Sequence, residues 1–134
     1  METERDEAAR RLWEAVEQAA ERGAGALSNE EREGLERQMW ETLLLFQDET
    51  FYTAKKLSFS YSVRGNEIFV TRKEKSITRA SVDLAFWKAI ELQAGGFFVD
   101  GPKKLKIFGA SYLYPLFIRA GVIQNAFNEP KGKR

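Results

Sequence analysis

Leu57-Ser58-Phe59-Ser60-Tyr61-Ser62-Val63-Arg64-Gly65-Asn66-Glu67-Ile68-Phe69-Val70-Thr71-Arg72 is the stretch that decides the fold. Its first half alternates large apolar residues with serine and arginine. Successive side chains of a strand point to opposite faces, so Leu57, Phe59, Tyr61 and Val63 form one inward face. Gly65-Asn66 is a two-residue hairpin loop with glycine first, as a type II′ turn prefers. Glu67 to Arg72 then returns antiparallel. In this register Val63 faces Ile68 and Tyr61 faces Val70, so both strands put apolar groups on the same side.

A lone hairpin is marginal in water, so its apolar face needs a cover. Helices on both sides supply one. Residues 3–22 place Ala9, Leu12, Trp13, Val16, Ala19 and Ala20 along one helical face, with acidic residues at the start where the helix dipole favours them. Gly23-Ala24-Gly25 ends that helix. Ser28-Asn29-Glu30-Glu31 is a capping box that opens a second helix over about 29–48, with Leu35, Met39, Thr42, Leu43 and Phe46 inward. After the basic turn at 71–76, Thr78 or Ser81 caps a third helix that runs to about Gln93. Val82, Ala85, Phe86, Ala89 and Ile90 form its inner face. Ser111 caps a last helix of about 112–120, with Pro115 in its first turn or so, where proline is best tolerated.

The expected fold is therefore α+β. Two N-terminal helices precede a central β-hairpin, and two further helices pack on one sheet face. Phe97-Phe98-Val99 and Lys106-Ile107-Phe108 are the candidates for a third strand. Residues 1–25 read as an amphipathic helical arm on a glycine joint, 26–127 as a single α+β domain, and 128–134 as a basic disordered tail. The Leu12, Trp13 and Val16 stripe of the arm must bury somewhere. It packs either on its own domain or against a second copy, giving a homodimer.

Composition narrows the chemistry. The 134 residues suit one domain and can bury a core without staples. The longest apolar runs are four residues or fewer, far short of the roughly 20 a membrane helix needs. No secretion signal is expected, since the N-terminus is rich in Glu and Arg. There is no cysteine and no histidine. Their absence removes disulfides, thiol catalysis, thiolate or histidine metal sites and Ser-His-Asp chemistry. The composition fits a cytoplasmic protein. No GxGxxG or GxxxxGK[ST] loop occurs, so no cofactor is implied.

The net charge of +1 conceals a polarity. Residues 1–50 carry fourteen acids against six arginines, and residues 51–134 carry fifteen Lys and Arg against six acids. Such asymmetry points to an anionic partner for the basic part, either nucleic acid or an acidic protein. The densest basic region is the hairpin and its following turn. Arg64, Arg72, Lys73, Lys75 and Arg79 are the candidate phosphate contacts there, with serine and threonine hydroxyls as neutral donors. The plain alternative is a solvated strand edge guarded by lysines.

From Leu105 the chain reads L-x-I-x-G-x-S-x-L-x-x-L-x-I-x-x-G-V-I. This resembles the turn and second helix of a helix-turn-helix unit, with Lys103, Lys104 and Lys106 upstream. A recognition helix needs polar side chains for base edges, and this one has few, so a core helix is the better reading. Tyr112 remains a candidate for stacking on unpaired bases. A metal-dependent nuclease is a weaker alternative, because Asp48, Glu49, Glu67 and Glu74 have no reason to converge. The functional expectation is a small, non-catalytic nucleic-acid-binding or regulatory module. A protein-interaction domain is its rival.

Overall fold

The computed structural model describes residues 3–124. Two helices come first: α1 (Glu4–Arg22) and α2 (Asn29–Leu45). Both begin with capping boxes. Thr3 and Asp6 exchange side chain-to-backbone bonds at α1, and Ser28 and Glu31 do so at α2. Arg22 reaches across the joint to Glu31 at 2.8 Å. That guanidinium and the Ser28 amide hold the Glu31 carboxyl down at about 2.

Five short strands follow: β1 (Phe51–Tyr52), β2 (Ser58–Phe59), β3 (Tyr61–Arg64), β4 (Glu67–Val70) and β5 (Ile77–Thr78). They form an antiparallel pair β1-β2 and an antiparallel sheet in the order β3-β4-β5. Helix α3 (Arg79–Ala94), a 3-10 turn (Pro102–Leu105) and α4 (Ala110–Ala120) complete the described chain. The class is α+β, as the alternation and the helical stripes require.

The hairpin takes the expected register, with Tyr61 opposite Val70 and Val63 opposite Ile68. Gly65 adopts a φ of 61°, the left-handed value that the first loop position of a II′ turn needs. The strand drawn from Leu57 to Arg64 is divided, however. It bends at Ser60, so Phe59 pairs with Phe51 while Tyr61 pairs with Val70. Thr71 accounts for the bend: its N–H donates to the Ser60 carbonyl, and its hydroxyl accepts from the Ser60 N–H. The side-chain oxygen thereby takes the place of a ladder carbonyl. Leu57 lies just before β2, outside the sheet, and is 46% exposed, and Val63 is only half-buried. Phe59 and Tyr61 carry the inward face.

The third strand is Ile77-Thr78, not Phe97-Phe98-Val99 or Lys106-Ile107-Phe108. Phe97 and Phe98 lie in an exposed loop, whereas Lys106 takes a left-handed turn that no strand tolerates. Gly109, not Ser111, sits at the cap of α4. Its φ of 84° favours glycine, and a Cβ there would lie 2.5 Å from Ile77 Cδ1. Helix α4 therefore starts at Ala110 and leaves Pro115 in its second turn. The missing N–H there forgoes the bond to the Ser111 carbonyl.

The core lies between the inner sheet face and all four helices. Tyr61 donates its hydroxyl to the Leu43 carbonyl of α2, and burial pushes that phenol far up from its ordinary value. Leu12, Val16 and Ala19 of α1 are buried in the same cluster as the sheet residues. Helix α1 thus packs back on its own chain, the packing alternative to pairing with a second copy. Gln124 donates to the Trp13 carbonyl, and Arg119 of α4 bonds Asp6 of α1. The helix read as an arm is part of the body. The basic tail at 128–134 lies outside the described residues.

Candidate basic cleft

The five basic candidate residues fall into two places. Arg64 and Arg79 stand at the turn end of the hairpin. The Arg64 guanidinium lies 4.1 Å over the Phe69 ring, and its backbone stands opposite Glu67 in the ladder. Arg79 opens α3, donates to the Asn66 side chain and stacks 4.8 Å over Trp40. Arg64 thus braces the hairpin and Arg79 ties its turn to the helices, a structural use of their planar cations.

Arg72, Lys73 and Lys75 occupy the β4–β5 loop at the other end of the sheet. Arg72 Nε donates to the Ser58 carbonyl, and Lys75 Nζ sits 4.8 Å over the Phe108 ring. The loop is thereby fastened to β2 and to the chain entering α4. The β1–β2 turn and residues 100–112 line a cleft of about 790 Å3 nearby.

The cleft draws Thr53, Ala54, Lys55 and Leu57 from the β1–β2 turn. Residues 100–104, Lys106 and Ile107 form the opposite wall, and Ala110, Ser111 and Tyr112 form the end. Tyr112 is half-buried, and its ring meets Phe59 edge-on at 5.0 Å. Lys55, Lys103, Lys104 and Lys106 are all exposed at the rim. Lys104 reaches Asp100 at 3.4 Å. Among the described residues, no acid lies within ion-pair distance of the other three.

Backbone strain collects at the same place. Lys56 (φ 67°) and Lys106 (φ 55°) are the non-glycine residues with positive φ among those described. One follows Lys55 in the turn and the other lies in the facing wall. Each such conformation costs on the order of 1 kcal/mol or more, and strain of this kind gathers where surfaces are shaped for ligands. Tyr114 secures the wall by donating to the Val99 carbonyl at 3.2 Å. Burial, then the Asp100 charge, raises its phenol above the ordinary value.

Of the carboxylates weighed as metal ligands, Glu49 and Glu67 are engaged elsewhere. Glu49 is bonded by Arg119 Nε and Nη2 and by Arg5 Nη1, at 3.1 to 3.2 Å. Glu67 accepts the Ser76 hydroxyl. Among the described residues no group of three or more acids is arranged to hold a metal ion. The helix-turn-helix likeness fails at its first half: a single 3-10 turn precedes α4, and Leu113, Leu116 and Phe117 of α4 are buried. No helix among the described residues is long and apolar enough to cross a membrane.

Tyr112, Lys73 and Lys75 were legible as candidates from sequence. Lys55, Lys103, Lys104 and Lys106 were visible as charges but not as a site. Their signal is the Lys-Lys-Leu-Lys run after the Gly101-Pro102 turn, and nothing local joins it to Lys55, about fifty positions earlier. In comparisons with known proteins, no family model, no curated protein and no solved structure matches the chain.

Proposed function

We propose that this chain is a small, cytoplasmic, non-catalytic module with a regulatory role, which binds nucleic acid through the cleft and the adjoining β4–β5 loop. What carries the reading is one observation: Lys55, Lys103 and Lys106 come from two distant segments to line a single cleft, and the acid among its lining residues, Asp100, is engaged with Lys104. Gathering like charges in one place is unfavourable for the free protein. A polyanion relieves it by neutralising the lysines and releasing its own counterions. Lys73 and Lys75 extend the positive surface beyond the rim. Arg64 and Arg79, engaged with rings and the hairpin turn, support the sheet and drop out of the contact set.

The test is a titration of the whole protein with a labelled oligonucleotide at about 50 mM salt, where phosphate contacts are little screened. Saturable binding that weakens on replacing Lys55, Lys103 and Lys106 with glutamine is the expected result. Absence of binding to any nucleic acid overturns the reading and leaves an acidic protein as the partner for the same surface.

A further inference from the structure

A surface that only neutralises phosphates needs no apolar floor. This cleft has one. Leu57 is 46% exposed over it, and Ile107, Pro102 and Tyr112 line it below the lysine rim. Leaving such groups uncovered is unfavourable, and a ligand that covers them gains hydrophobic burial. The matching ligand is flat and apolar at one end and anionic at the other. In a nucleic acid that description fits an unpaired nucleotide. A continuous duplex keeps its bases stacked inside and presents phosphates and groove edges, so it leaves the floor uncovered.

We infer that the cleft is a subsite for an unpaired base, held against Tyr112 and Leu57 with its phosphates on Lys103, Lys106 and Lys55. The inference rests on the nucleic-acid reading above and adds selection for single strands. Tyr112 suits the task because its ring is already fixed edge-on against Phe59, so ordering it on binding costs little. Leu57 suits it because it lies outside the sheet, exposed, and lines the cleft.

The experiment compares three labelled probes on the intact protein: a single strand of about twelve nucleotides, the same strand in duplex, and a strand of equal length made of abasic units. The expected order is single strand tightest, with the duplex and the abasic strand at least about tenfold weaker. Tyr112→Ala lowers single-strand affinity about tenfold, as loss of one stack does, and leaves abasic binding unchanged. Tyr112→Phe keeps the ring and retains full affinity. Since Tyr112 touches Phe59, Leu57→Glu serves as the second variant. It lies on an exposed turn outside the core, and it also weakens the single strand about tenfold. Equal binding of all three probes overturns the base subsite while leaving a phosphate-binding surface. Failure of all three to bind overturns the nucleic-acid reading itself.

Discussion

The acidic first third and the basic remainder use the same charged residue types to different ends. In the helical region most of the arginines are consumed at home. Arg5 reaches Asp48 and Glu49, Arg11 bonds Glu7, and Arg22 joins Glu31 across the joint between helices. Glu49 even takes an arginine from the basic part, Arg119, which also bonds Asp6. Around the cleft the pattern reverses, and among the described residues Lys104 alone of the four rim lysines has an acid within ion-pair distance. A charge already paired within the fold supports the fold. A charge left over is free to meet a partner, and the excess of cations in the second region collects on one surface.

That contrast breaks most visibly at Glu49. Its side chain is 24% exposed and takes bonds from two arginines. Glu49→Gln is expected to destabilise the protein by about 1–3 kcal/mol, as loss of charge-assisted bonds at a partly buried group does. The urea midpoint reads it. A change within surface noise would mean that the acidic region is as loosely paired as the cleft.

Asp83 is a sharper probe of the helices. Burial, reinforced by the facing Glu36 and opposed by Arg79, pushes its carboxyl from 3.8 up to about 6. One of its oxygens is buried without a hydrogen-bond partner. The surroundings are a mirrored ladder: Arg32 stacks on Trp87, Arg79 stacks on Trp40, and Glu36 accepts the Trp87 indole N–H. The folded state holds this proton more tightly than the unfolded state. Its contribution is therefore fully present below about pH 4 and is lost as pH rises through about 6. Asp83→Asn should stabilise the protein at pH 7 by about 1 kcal/mol, the shift being discounted because half the group is solvated, and should flatten stability between pH 4 and 7. Thermal melts across that range check it, and an unchanged slope would refute the assignment.

The smallest effect belongs to the rim. Lys55→Gln and Lys103→Gln should each change stability by less than about 0.5 kcal/mol, because nothing in the fold relies on them. A larger loss in a urea melt would place these lysines among the paired charges.

The sequence was informative wherever a local pattern met a local rule. The alternation around Tyr61, the Gly65-Asn66 loop and the Ser28 capping box each set structure within a few residues, and each is present. It was silent where a distant contact decides. The division of the strand at Ser60 depends on Thr71, eleven residues on. A two-residue strand such as Ile77-Thr78 is too short to show alternation, and Thr78 reads equally as a helix cap, which it also is. The burial of α1 depends on α3 and α4, far along the chain. The cleft combines residues near 55 with residues near 105, so charge counting finds the excess but not the place.

The most direct test of the account is the salt dependence of single-strand binding, measured on the native protein and on the Lys55→Gln/Lys103→Gln double variant. About five phosphate contacts predict a log–log slope near −3.5 for a single strand, and removing two of them should bring it to about −2.1. A slope that the double variant leaves unchanged would show that the unpaired lysines of the cleft do not meet the ligand.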